Sequence, residues 1–183
     1  MKIQPRIRAA ALAAALATIG LAPVLSSADE PRPHHYRSDF GRFSVEFPGG
    51  SPVVRELEGT QFTMTGNDVN YAAMLAGVEY SVEIHDVPRF AKLMLTDHYI
   101  LDQSVTGKLD DIGARRLDVV ETSIQGKPAR EVVFEALDRT FTGRMSLVLA
   151  DRRLYLVGVL RPASLDSQDA GARFFESFSF WLE

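Results

Sequence analysis

The sequence predicts an α+β domain, in which an antiparallel β-sheet of about six strands has helices packed on its faces. Two strand-rich stretches, near residues 43–84 and 116–160, either alternate apolar and polar side chains or are apolar throughout. A helical apolar stripe lies between them, and a second, shorter helix follows. Short turns separate the later strands, which is typical of antiparallel neighbours. This order predicts a sheet with a helix on at least one face, or on both.

The first strands are predicted from alternation and turn residues. Residues 43–47 alternate Phe, Val and Phe with Ser and Glu, and Pro48 with two glycines ends the strand. Further strands are predicted at 53–57, 61–65, 71–75 and 78–84, with a turn at 66–68.

The predicted helix carries six residues at spacings of three and four, which is the period of one helix face. They are Met94, His98, Leu101, Val105, Leu109 and Ile112. Thr96 or Asp97 would cap the start of the helix, and Gly113 would end it.

A strand meander is predicted next, at 116–124, 130–137, 141–149 and 154–160. The last of these strands is almost entirely apolar, which predicts a central position in the sheet with both faces covered. Ser167 would cap a final helix over 168–175, and Phe178, Phe180 and Leu182 alternate as a short closing strand.

Residues 1–28 have the pattern of a secretory signal peptide. Lys2, Arg6 and Arg8 precede an Ala/Leu-rich stretch, and small residues lead up to Ala28, after which cleavage is predicted. An uncleaved membrane anchor is the alternative, but the apolar run is short for a spanning helix. The sequence therefore predicts a signal peptide (1–28), a disordered mature N-terminus (29–38), one α+β domain (39–183) and a periplasmic or secreted location.

Charge and cysteine content limit the function. The 183 residues less the 28 of the signal leave 155, and loss of three positive charges takes the net charge from −4 to −7. Such an acidic chain is not expected to bind nucleic acid nonspecifically or to be attracted to anionic lipid. Because the chain has no cysteine, disulfides, thiol nucleophiles and thiolate metal sites are excluded.

Four segments carry a resemblance to a known family. They are Phe-Ser-Val-Glu-Phe-Pro-Gly at 43–49, Ile-Gln-Gly-Lys-Pro-Ala-Arg-Glu at 124–131, Arg-Leu-Tyr-Leu at 153–156 and Arg-Phe-Phe-Glu-Ser-Phe at 173–178. In this order and spacing, the chain resembles the PsbP-like superfamily over residues 40–182, in particular its small exported bacterial members without an assigned activity. The resemblance implies an α/β/α sandwich and a binding or assembly role. The photosynthetic members support oxygen evolution and a eukaryotic relative binds a nuclear-transport GTPase. No site residue carries over.

Two His/acid pairs are candidates for acid–base chemistry. His85 with Asp86, or His98 with Asp97, would supply a general base and an orienting carboxylate. No Gly-x-Ser-x-Gly elbow accompanies them. On the alternative interpretation, His98 is a partly buried, hydrogen-bonded core residue on the apolar stripe and Asp97 is a cap.

Other polar pairs are weaker candidates. Arg152 and Arg153 would form an anion or partner patch together with the pair at 115–116, or are ordinary turn charges. Adjacent His34 and His35 would bind a metal only on a poorly organised tail. The sequence has no motif for a metal or a cofactor, so neither is predicted.

Three functions remain open on the sequence alone. The leading hypothesis is an exported, non-enzymatic module that binds a protein or a small ligand of the cell envelope. The second is a periplasmic hydrolase that uses a His/acid pair. The third is an envelope assembly or stress factor that offers a sheet edge, from residues 53–65, to a partner.

Overall fold

The structure, a computed structural model, describes residues 32–57, 68–165 and 171–182. These residues form, in order, β1 (His34–Ser38), β2 (Phe43–Phe47), β3 (Val53–Glu56), β4 (Val69–Leu75), β5 (Val78–Asp86), α1 (Arg89–Met94), α2 (Asp97–Asp111), β6 (Ala114–Ile124), β7 (Lys127–Ala136), β8 (Phe141–Ala150), β9 (Arg153–Pro162), α3 (Ala172–Ser177) and β10 (Ser179–Phe180).

Within the described residues, the strands form two sheets. The main sheet has seven strands in the order β3-β4-β5-β9-β8-β7-β6, and the small sheet has the order β1-β2-β10. Every pairing is antiparallel. The predicted α+β class, the meander from β6 to β9 and the central position of β9 are therefore confirmed. The main sheet has one strand more than the predicted six, and the small sheet was not foreseen.

The small sheet covers one face of the main sheet. Phe43, Val45 and Phe47 of β2 are fully buried, and Phe174 of α3 packs with them against β4, β5 and β9. Aromatic rings dominate this core: the Phe43 and Tyr71 centroids lie 5.0 Å apart at 75°, an edge-to-face geometry.

Helix α2 covers the opposite face over β7, β8 and β9. Its apolar stripe supplies Leu101, Val105 and Leu109, which are at most 5% exposed. Thr96 is the N-cap, and its side chain accepts a hydrogen bond from Tyr99 N at 3.2 Å. The capped start leaves Met94 outside α2, at the end of α1, where it is 75% exposed.

One further expectation is corrected. The segment predicted as a disordered tail, 29–38, forms strand β1 over His34–Ser38, because Tyr36 packs on the aromatic core beside Phe43 and the backbone pairs with β2. Residues 29–31, the predicted strand at 61–65 and the start of the predicted last helix lie outside the described residues. In the parts of the chain that are described, no helix has the length and apolar character needed to cross a bilayer.

Candidate functional site

Four charged side chains form a buried chain of contacts between β4, β5 and α2. His85 Nδ1 lies 2.8 Å from Asp68 Oδ2, and His85 Nε2 lies 3.5 Å from Glu83 Oε2. Lys108 Nζ donates to both carboxylate oxygens of Glu83 at 2.7 Å. We call Asp68, Glu83, His85 and Lys108 the buried network.

The strand register explains how the network assembles. Alternate residues of a strand point to the same face, so Glu83 and His85 both face α2. Val69 pairs with Ile84 across β4 and β5, so one position further along the ladder Asp68 lies opposite His85. Lys108 lies one helical turn beyond Ser104, and both reach the cleft above Glu83.

The contacts shift the pKa values of the two central groups in opposite directions. Burial alone would raise the pKa of Glu83, but the hydrogen bond from His85 and the charge and hydrogen bonds of Lys108 lower it to about 2. Burial alone would lower the pKa of His85, but its bonds to Glu83 and Asp68 raise it above 6.5. The contacts therefore favour the ionised form of Glu83 and the protonated form of His85.

The network lies beneath a small cleft. Its volume is about 260 Å³, counted up to its open mouth, and Ser104, Asp111, Leu154 and Leu156 complete its lining. The space within it that a water molecule can occupy is about 10 Å³, room for about one water, whereas ligand pockets are commonly about 300–1,000 Å³. Ser104 Oγ donates to the carbonyl oxygen of Ile100 at 2.8 Å, so its proton is directed to the helix backbone and not to His85. This arrangement is better suited to holding α2 on the sheet than to activating a nucleophile.

The predicted His85–Asp86 pair does not form the expected dyad. Consecutive strand residues point to opposite faces, and the carboxylates that face the His85 ring are those of Asp68 and Glu83. Asp86 Oδ1 instead lies 3.6 Å from Arg153 Nε. Arg153 also donates to the carbonyl oxygen of Phe40 at 2.8 Å, which ties β9 to the link between β1 and β2.

Arg152 and Arg153 have different surroundings. Arg152 is exposed, and its carbonyl oxygen accepts a hydrogen bond from Val87 N at 2.6 Å. Arg153 is partly buried in the contacts just described. Their side chains therefore do not act as one basic patch.

The second predicted pair, Asp97–His98, is also separated. Asp97 begins α2 and pairs with Lys92 of α1. His98 is exposed, so its interpretation as a core residue is wrong, although it is hydrogen-bonded. Its Nδ1 lies 3.1 Å from Arg130 Nη2 and accepts that hydrogen bond, because arginine only donates.

Arg130, which sequence reasoning left unassigned, is 2% exposed between α2, β6 and β7. It donates to Asp102 Oδ1 at 2.8 Å and to the carbonyl oxygen of Ala129 at 3.1 Å, and it pairs with Glu121 Oε1 at 3.0 Å. The arginine joins the first half of α2 to the two strands β6 and β7. We interpret it as structural.

A larger surface feature is a groove between β1 and β3, the edge strands of the two sheets. Its volume is about 730 Å³, counted up to its open side. Ser38 Oγ and Tyr71 OH, 2.9 Å apart, join the two sheets there. The groove is lined by Tyr36, Arg37, Ser38, Asp39, Phe40, Val54, Glu56, Val69 and Tyr71.

The backbone of β3 presents hydrogen-bonding groups along this groove. Leu57 N donates to Asp68 O at 2.8 Å, which makes 57 and 68 a hydrogen-bonded pair of the β3–β4 ladder. Hydrogen-bonded and non-hydrogen-bonded pairs alternate in antiparallel sheets. The pairs of Val54 with Tyr71 and of Glu56 with Val69 are therefore non-hydrogen-bonded. The N–H and C=O groups of Val54 and Glu56 consequently point away from β4.

No cluster of three or more His, Asp or Glu side chains that would hold a metal ion occurs in the described ranges. His34, one of the two histidines considered for a metal, has its Nε2 atom 3.1 Å from Ser51 Oγ.

The comparisons with known proteins concern the fold. Neither a protein-family model nor a curated protein matches this sequence. The solution structure of cyanobacterial PsbP (CyanoP) from Synechocystis sp. is similar over 91% of this chain and 99% of that chain, with a TM-score of 0.58 and 13% identity. A Pseudomonas aeruginosa protein of unknown function is similar over 71% of this chain and 83% of its own, with a TM-score of 0.39 and 11% identity. The similarity to the CyanoP structure shows that the chain has a PsbP-like fold.

Proposed function

We propose that this chain is an exported, non-catalytic module that binds a protein partner in the cell envelope. The observation that carries the proposal is the groove between β1 and β3, where the edges of two sheets border one open, partly apolar space. Sheet edges with outward backbone groups are ready-made sites for pairing with another chain.

The surroundings of the histidines favour this function over a hydrolase. Both ring nitrogens of His85 face carboxylates, and the cleft above it is small. His98 faces Arg130 rather than a nucleophile. The PsbP-like fold also supports a binding role, because the resemblance implies one.

Export is proposed from residues 1–28, whose basic start, apolar run and Ala28 cleavage position have the pattern of a signal peptide. Intact-mass measurement of the protein recovered from the cell envelope tests this step. A mature chain that begins at Asp29 is expected. Recovery of the full 183-residue chain from the cytoplasm would overturn it.

Position-specific crosslinking tests partner binding. A photo-reactive amino acid replaces Val54, which lines the groove, or Gln103, which is exposed on α2 on the other side of the main sheet. Irradiation of living cells should give a protein adduct of defined mass from position 54 and none from position 103. Equal adducts from both positions, or none from either, would contradict a binding role for the groove.

A further inference from the structure

We propose that the partner enters as an extended segment that adds a strand to the outer edge of β3. The inference rests on the proposed function and specifies its binding mode: the segment pairs with the backbone of Val54 and Glu56. Two residues with outward N–H and C=O groups offer four hydrogen-bonding groups in one line.

The position of β3 makes this edge available. In the described part of the chain, β4 is the sole strand that pairs with β3, and β3 ends the main sheet. All four residues of β3 are exposed, including Val53 at 57% and Val54 at 50%. A strand that exposes two valines beside outward backbone groups is a template for strand addition.

The side chains of β3 define the chemistry of an antiparallel partner. Directly opposed residues on neighbouring strands interact most favourably when apolar groups meet and opposite charges meet. The segment should therefore place a basic residue opposite Glu56, an acidic residue opposite Arg55, and apolar residues opposite Val54 and Val53. From its N-terminus, the partner sequence is basic, acidic, apolar, apolar.

A second copy of this chain fits the edge less well. Two β3 strands related by a two-fold axis through Arg55 would place that arginine opposite itself, and like charges in directly opposed positions are destabilising. In the register centred on Val54, Glu56 would face Pro52, which has no N–H to donate.

The test uses the mature protein and a fluorescein-labelled ten-residue peptide whose centre is lysine, aspartate, isoleucine and valine. The decisive variant is Glu56→Pro, which removes an outward N–H without removing a β3–β4 hydrogen bond; proline is tolerated on a strand edge in that position. Its matched control is Glu56→Ala, which removes the carboxylate and keeps the N–H. A second probe carries an N-methyl group on the isoleucine, opposite Val54.

Fluorescence anisotropy should show saturable binding of the first probe. Glu56→Pro should weaken binding at least about fivefold relative to Glu56→Ala, since one hydrogen bond is worth about 1 kcal/mol. N-methylation should have a similar effect on the unsubstituted protein. An unchanged thermal midpoint in Glu56→Pro confirms that β3 stays folded. If that variant does not fold, the N-methyl probe alone decides.

Three outcomes would overturn strand addition. The first is no binding of the probe at millimolar concentration, and the second is binding that neither proline nor N-methylation weakens. The third is a dimer of this chain that Glu56→Pro dissociates. In each case the adduct at position 54 still decides the proposed function separately, because crosslinking requires only proximity to the groove.

Discussion

Replacing Glu83 by glutamine should remove a pH-dependent part of the stability while keeping the size of the side chain. Glu83 is 8% exposed and contacts His85 and Lys108. Its pKa is lowered from 4.5 to about 2, and each pKa unit corresponds to about 1.4 kcal/mol, so its ionised form stabilises the folded state by about 3 kcal/mol. This contribution is present above pH 4.5 and is lost as the pH falls through about 2.

Urea unfolding between pH 2 and pH 6 measures this contribution. Glu83→Gln should have a lower free energy of unfolding than the unsubstituted protein. This difference should be about 3 kcal/mol larger at pH 6 than at pH 2. Any constant effect of the amide cancels in this comparison. Most of the change should occur between pH 4.5 and about pH 2, where folded and unfolded states bind different numbers of protons.

Glu131→Gln is the matched control for this experiment. Glu131 pairs with Arg144 at 2.9 Å, but both side chains are more than a third exposed, so its loss should change the stability by less than about 1 kcal/mol at any pH. A stability difference for Glu83→Gln that is constant from pH 2 to pH 6 would refute the reasoning. So would a pH dependence of equal size in Glu131→Gln.

Three further predictions concern the folded domain. Proton NMR of His85 should give a titration midpoint above 6.5. The contribution of His85 to the stability is then full below pH 6.5 and is lost as the pH rises through the midpoint. A midpoint below 6.5 would contradict the network. Arg130→Met should cost less than about 2 kcal/mol in urea unfolding, because its carboxylate partners are exposed and return to water; a cost above about 4 kcal/mol would contradict this. Gly143→Ala should lower the free energy of unfolding by about 1–3 kcal/mol, because the new Cβ would lie 2.3 Å from the Phe134 ring. Gly158→Ala should lower it less, because the nearest contact of its new Cβ is at 3.3 Å. The reverse order of thermal midpoints would contradict the packing.

The local patterns of the sequence were sufficient for most of the main sheet. Leu101, Val105 and Leu109 lie on one helix face because their spacing fixes it, whatever lies opposite. Strand β9 is central because an apolar run needs cover on both faces. Strand β1 was missed because its residues, His-His-Tyr-Arg-Ser, have no alternation, and one aromatic ring, that of Tyr36, holds it on the core.

The sequence was sufficient to predict the cross-strand partners of His85 and Arg130. The turn between β4 and β5 is Ala76–Gly77, with φ of 50° and 80°, and a two-residue turn fixes the register on both sides. That register places Asp68 opposite His85. The Gln125–Gly126 turn, with φ of 50° and 75°, likewise places Glu121 opposite Arg130.

The contacts of α2 with the sheet were not accessible in the same way. Whether Lys108 reaches Glu83, and whether Asp102 reaches Arg130, depends on where the helix lies over the strands. That position is set by the apolar packing of α2 on β7, β8 and β9, which involves residues distant in sequence. A periodic stripe specifies the buried face of a helix, but not its height or angle over a sheet.

The buried network and the open edge are connected through one residue. The side chain of Asp68 holds His85, and its carbonyl oxygen accepts the hydrogen bond from Leu57 that closes the end of β3. The network therefore fixes the start of β4, and β4 in turn fixes which groups of β3 point outward. A substitution at Asp68 would change the stability of the core and the geometry of the edge together. Substitutions at Glu56, whose ladder position leaves its N–H outward, change the edge without changing the contacts of Asp68.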